Sequence, residues 1–354
     1  MNKRYLRFIM ILGLLATLLL IFGTVGAAPK DGPVVSLSSA QSEYTASQDV
    51  MIDITITNPT KHSLRILKWF TPSDGMEGPL LNVKVNGASA TYLGALYKRP
   101  AATGNDYLTL KSGESVAYSV NLGDYYDLSS SGQYDIYYDA AAYNLFDEKG
   151  NGSNSPDSIT SDPLSLKIDG RAPKVKPTPV PTPAPSGTSF NRCTTAQQTI
   201  LLAARAQATT YSMDGSSYLN GGLTNSRYVT WFGAVDASRY VTATTHFTNL
   251  ANAWTNFGVT FDCGCKQNYY AYVYPSKPYI IYICKVFWTA PASGTDSQGG
   301  TLVHEMSHFP LVAGTSDYVY GQTGAMSLAI TDPAKAVMNA DNHEYFAENT
   351  PALP

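Results

Sequence analysis

The chain has 354 residues, a formal net charge of −3, only 14% charged residues and 25 tyrosines. That length accommodates two domains with separate cores. The charge balance excludes nucleic acid and an anionic membrane surface as main partners, and a lightly charged, Tyr-rich composition suits an exported protein.

The N-terminus begins with Lys3, Arg4 and Arg7, continues through an apolar run over residues 8–22, and reaches Val25-Gly26-Ala27. This is the three-part plan of a secretory signal peptide over residues 1–27. The apolar run is short for a membrane span, so no stable membrane association is expected after cleavage, and the localisation expected is secreted and extracellular. Residues 28–170 contain short alternating or β-branched runs at 50–57, 81–85, 115–122 and 134–138. Turn-rich pieces such as Asn58-Pro59-Thr60 and Pro72-Ser73-Asp74-Gly75 separate them. Many short strands without a long helical pattern predict an all-β sandwich of immunoglobulin-like size. Residues 171–187 are Pro-rich. Proline fixes φ and removes donors, so this stretch is expected to be an extended, solvated linker.

Residues 188–354 change character. Thr195 with Gln198 reads as a capping box before a helix over 196–211. Further helices are expected over 241–255, 296–309 and 322–330, with a hairpin of strands 270–274 and 279–284. The C-terminal domain is therefore α+β and mostly helical. The four cysteines are Cys193, Cys263, Cys265 and Cys284. An even count in an exported chain argues for two disulfides. Cys263 and Cys265 are too close to pair with each other, so each reaches either Cys193 or Cys284. A zinc site of four cysteines is disfavoured by the absence of two CxxC pairs.

Chemistry concentrates in Thr301-Leu-Val-His304-Glu305-Met-Ser-His308. Residues four apart on a helix share a face, so both imidazoles can address one ion. Glu305, beside the first ligand, can take a proton from water and pass it to the leaving amine. A catalytic zinc needs a third protein ligand and an open position. The nearest downstream acid is Asp317, in a Gly-flanked loop able to turn back sharply. Spacing alone leaves it either a ligand or a turn residue.

HExxH followed by Gly314-Thr315-x-Asp317-x-x-Tyr320-Gly321 resembles the deuterolysin family, the aspzincins. The resemblance implies a zincin-like metalloprotease fold, one zinc held by His304, His308 and Asp317, Glu305 as general base, and a Tyr320 hydroxyl that stabilises the oxyanion. Trp231-Phe-Gly, residues 270–275, Phe287-Trp288, residues 294–298 and residues 336–346 are similar to the peptidyl-Lys branch of that family. This implies disulfides Cys193–Cys263 and Cys265–Cys284. It also implies that Asp341 and Glu344 receive a lysine ammonium in P1′, so that lysine-containing proteins or peptides are cut on the amino side of Lys. Two carboxylates suit a compact ammonium with three donors. These acids are expected to serve the substrate alone, leaving zinc untouched, and His343 between them is read as structural.

The β-rich segment, with residues 58–72, resembles the N-terminal regions of bacterial relatives, which implies a propeptide acting in cis. Self-cleavage before Lys174 or Lys176 in the linker would release it. Only four of fifteen lysines, Lys266, Lys277, Lys285 and Lys335, follow the linker, in keeping with a protease that spares itself. The alternatives are a family protease without lysine selectivity, a retained adhesion or substrate-binding module, and a non-enzymatic surface protein on a degenerate protease fold. The filled set of chemical roles argues against the last.

Overall fold

The computed structural model describes residues 32–142, 145–147, 157–174 and 187–354. The expected signal peptide and most of the expected linker, including Lys176, lie outside these residues.

The N-terminal region is β-rich. A three-stranded antiparallel sheet joins Val34–Ser38, Met51–Thr57 and Ser115–Asn121. A second sheet runs Glu43–Tyr44, Leu164–Ile168, Gly132–Ala142, Leu81–Val85 and Ala88–Ser89, with Asp157–Thr160 also paired to Gly132–Ala142. Strand residues alternate between faces. Accordingly Ile52, Ile54 and Ile56 of one sheet and Val83, Tyr134 and Ile136 of the other are buried in a single apolar core.

The C-terminal region is mostly helical around one sheet. The long helix Thr195–Asn220 packs against Ala237–Asn256 and Gln298–Ser307. Its capping box is Thr194 with Gln197, one residue earlier than expected, and the helix runs nine residues further. Thr194-Thr195 and Gln197-Gln198 offer the same cap in two registers. The other register is unavailable because Gln198 Nε2 instead donates to the Cys193 carbonyl at 3.1 Å. Disulfides join Cys193 to Cys263 and Cys265 to Cys284. Three helices that were not predicted also form: Ser226–Phe232, Pro333–Ala336 and Ala340–Glu348. All nine residues of Ala340–Glu348 are buried. Five of those nine, Asp341, Asn342, His343, Glu344 and Glu348, are polar or charged, so residue polarity does not report burial there.

The C-terminal sheet has the order Thr188–Asn191, Val259–Asp262, Ile280–Ile283, Ala271–Val273, Leu96–Lys98. Its last strand comes from the N-terminal region. Leu96–Lys98 pairs antiparallel with Ala271–Val273, Tyr272 opposite Tyr97, and covers what is otherwise an open edge. The two regions therefore share a sheet, which the sequence pattern alone did not anticipate.

Candidate metal centre and substrate cleft

The helix Gln298–Ser307 starts at Ser297, whose Oγ accepts from Gly300 N at 2.9 Å. It is buried along its whole length. A Cβ on Gly300 would lie 1.9 Å from Glu348 Oε1, so a side chain there is excluded by the carboxylate behind it. His308 is the C-cap, and Pro310 prevents continuation. The helix is thus shorter than the expected 296–309, which frees Asp296 into the preceding loop.

After the helix the chain reverses. Gly314 has φ +61°, a left-handed conformation that glycine adopts without Cβ strain. Thr315 N then returns to Ser307 O at 3.1 Å. Buried Asn339 pins the following loop, its Oδ1 accepting from Tyr318 N at 2.8 Å and Val319 N at 3.2 Å. Asp317 is delivered to the two imidazoles: its Oδ1 lies 3.2 Å from His304 Nε2 and 3.4 Å from His308 Nε2. All three atoms are buried without a hydrogen-bond partner. Two zinc bonds of about 2.05 Å at a tetrahedral angle separate their donors by about 3.3 Å, so this set fits a zinc ion.

The groups behind the ligands fit as well. His308 Nδ1 faces the Thr315 carbonyl at 3.0 Å, which leaves Nε2 for a metal. His304 Nδ1 faces Asp341 Oδ1 at 2.7 Å and Glu344 Oε2 at 3.4 Å. Burial lowers His308 to about 4, keeping it neutral. Burial also acts to lower His304, but the carboxylates of Asp317, Asp341 and Glu344 outweigh it and raise this ring well above its ordinary value. Burial, with Asp317 nearby, holds the Glu305 carboxyl well above the usual range.

Asp341 and Glu344, three apart on the C-terminal helix, share one face. Lys98 meets them there. Its Nζ lies 2.8 Å from Glu344 Oε2, 3.1 Å from Asp341 Oδ1 and 2.9 Å from Asp296 Oδ1. Lys98 is 1% exposed. Burial would lower its pKa, but Asp341 and Glu344 dominate and raise it, so it remains an ammonium. The expectation that the two acids serve the substrate alone is corrected: Asp341 Oδ1 touches both the ammonium and the imidazole of His304, while Oδ2 accepts from Gly321 N at 2.6 Å.

The backbone of the same strand crosses Asp317 and Glu305. Tyr97 N donates to Asp317 Oδ2 at 3.1 Å, and Lys98 N donates to Glu305 Oε1 at 3.2 Å. Strand alternation sends Tyr97 to the opposite face, against Tyr269 and Tyr272. Arg99 follows, stacked near Trp69 and Tyr269, and its guanidinium sits beside the Tyr320 hydroxyl. Burial raises Tyr320 well above its ordinary value. His343 lies apart from His304, His308 and Asp317, between Asn339 O at 2.9 Å and His246 Nδ1 at 3.0 Å, stacked on Phe247. Lys174 pairs with Asp49 and Asp124. Sequence reasoning missed Lys98, Asp296, Thr315 and Asn339. Thr315 lay within the motif, and Asp296 and Asn339 within segments similar to the peptidyl-Lys branch, without a role assigned to them, whereas Lys98 was one lysine among eleven.

A family model described as lysine-specific metallo-endopeptidase matches residues 219–348. An extracellular protease of Aeromonas hydrophila is 44% identical over 313 residues, covering 87% of this chain and 90% of that protein. A peptidyl-Lys metalloendopeptidase of Armillaria mellea is 36% identical over 343 residues, covering 93% and 94%. A solved zinc peptidase from Grifola frondosa is 49% identical with a TM-score of 0.44, covering 45% of this chain and 99% of its own. With such coverage by relatives, the chain belongs to the aspzincin family of metalloendopeptidases, and its cofactor is zinc.

Proposed function

We infer that this protein is a secreted endopeptidase that cuts on the amino side of lysine and is made as a proenzyme whose N-terminal region occupies its own cleft. In this reading His304, His308 and Asp317 hold zinc. When bound, the ion supplies a Lewis acid for water and for the scissile carbonyl. Glu305 Oε1 then moves a proton to the leaving nitrogen, Asp341 and Glu344 bind the P1′ ammonium, and the Tyr320 hydroxyl donates toward the developing oxyanion. Residues 1–27 are a signal peptide, 28–170 the β-sandwich propeptide, 171–187 the linker and 188–354 the enzyme.

The observation that carries this reading is the placement of Lys98: its side chain fills the acidic pocket while its own amide N–H points at Glu305 Oε1, where the amine of a cut bond would leave. An extended segment added antiparallel to an exposed sheet edge is a common mode of peptide recognition. Leu96–Lys98 therefore imitates a bound substrate and excludes others. The extracellular relative supports secretion, and no described helix is long and apolar enough to cross a membrane.

Digestion of a protein rich in both Lys and Arg, with the new N-termini mapped, tests this. Termini should begin with Lys, and a chelator should stop their appearance. Equal cutting before Arg or apolar residues refutes the lysine assignment.

A further inference from the structure

Resting on the reading of this pocket as a lysine site, we propose that Asp296 is its third recognition carboxylate and decides lysine over arginine, with Glu348 as the positioning residue that holds it there. An ammonium has three N–H donors arranged tetrahedrally. Here they meet three carboxylates on two elements, Asp341 and Glu344 from the C-terminal helix and Asp296 from the loop before the metal-bearing helix. The rings of Tyr345 and Tyr270 stand 5.2 Å and 5.5 Å from Nζ and close the sides. A guanidinium is planar, with its donors spread in a fork, and cannot satisfy three acceptors converging on one point.

The three acids are not equivalent. Asp341 and Glu344 are fully buried and both approach His304 Nδ1, so the metal ligand shares them. Asp296 has no contact with His304, Glu305, His308 or Asp317 and keeps 37% of its side chain exposed at the pocket mouth. Of the three acids, its carboxylate is the one that meets the ammonium without also touching His304.

Its placement is built. Asp296 has φ +52°, a left-handed conformation that Asp tolerates better than most residues. Tyr345 Oη donates to its Oδ1 at 2.8 Å. The backbone is clasped by Glu348: Asp296 N donates to Oε2 at 3.2 Å, and Ser297 N and Oγ both donate to Oε1 at 2.8 Å. Glu348 is 5% exposed and has no part in the chemistry described above. It ties the loop to the same helix that carries the other two acids.

The test uses the secreted protein once its activity has reached a plateau, with two peptides differing only in Lys or Arg after the scissile bond. Asp296→Asn should lower kcat/KM for the Lys peptide about tenfold, as for a lost hydrogen bond to a charged group, with zinc content unchanged. The Lys/Arg ratio should fall by the same factor, and Glu348→Gln should lower that ratio by a smaller factor. Should Asp296→Asn not be processed, full-length protein carrying Glu305→Gln gives a second readout. There, acetylation of Lys98 by a water-soluble reagent, followed by mass spectrometry, should speed up about tenfold when Asp296→Asn is added. Unchanged Lys/Arg ratio and unchanged Lys98 labelling overturn the role of Asp296 while leaving the lysine pocket standing. Equal cutting before Lys and Arg by the unaltered protein overturns both.

Discussion

Lys98→Met isolates the charge that seats the N-terminal region in the cleft. Methionine keeps a long apolar stem and deletes the ammonium. In the seated state Asp341 and Glu344 are fully buried, and Lys98 is the cation between them. Removing one partner of a buried ionic network costs about 3–5 kcal/mol, because the remaining charge is buried without compensation. With the strand withdrawn, water solvates both acids, so the penalty falls on seating alone. At 1.36 kcal/mol per decade, seating should weaken by between about two and four decades. The three-residue ladder and the Arg99 contacts remain, so the effect is confined to the ammonium. The assay adds zinc to metal-free full-length protein and follows hydrolysis of a lysine peptide from the first seconds. Unaltered protein should show a lag, Lys98→Met should start at once, and Lys98→Arg should fall between them. In a Glu305→Gln background, which prevents self-processing, Lys98→Met should be nicked faster near residues 96–100 by a second protease. An identical lag and identical nicking in Lys98→Met would refute substrate imitation by this strand.

Two further predictions separate roles that the structure intertwines. Asp341→Asn touches the ammonium and His304 together, so it should weaken zinc affinity by about 10–100-fold as well as lysine turnover. Glu344→Gln, at 3.4 Å from His304 Nδ1 against 2.7 Å for Asp341, should act mainly on turnover. Metal content after dialysis against a weak chelator distinguishes them, and equal zinc loss in both refutes the division. The second concerns His246 and His343, which face each other between the helices Ala237–Asn256 and Ala340–Glu348, with Phe247 and the Asn339 carbonyl alongside. Burial depresses them to about 4 and about 3. An unfolded histidine takes up its proton near 6.5, so below that pH the unfolded chain binds protons the folded chain refuses, and stability falls as pH falls. The loss is about 2 kcal/mol per ring at pH 5, so lowering the pH from 7.5 to 5 should reduce Tm more in the unaltered protein than in one carrying His246→Gln and His343→Asn. The same pH dependence of Tm in both proteins refutes the neutral pair.

What the sequence determined by itself is local. The four-residue spacing of His304 and His308 requires only a helix. The return of Asp317 requires a glycine able to take φ +61° and a short loop, both written within ten residues of the motif. The alternation of Ile52, Ile54 and Ile56 placed that strand within a residue of its observed start. The helix Ala340–Glu348 left no such trace, because it is enclosed on all sides while Asp341, Asn342, His343, Glu344 and Glu348 are polar, so polarity marks no exposed face. The adjacent Thr-Thr and Gln-Gln pairs left the cap of the long helix ambiguous by one residue until a contact with Cys193 chose between them. Only the tertiary structure decided that Lys98 enters the acidic pocket, since its partners Asp296 and Asp341 lie 198 and 243 residues away. It also decided that a single oxygen of Asp341 meets both the His304 imidazole and the Lys98 ammonium. Contacts over such separations are set by packing and by the pairing of buried charges, and neither leaves a periodic mark on the chain.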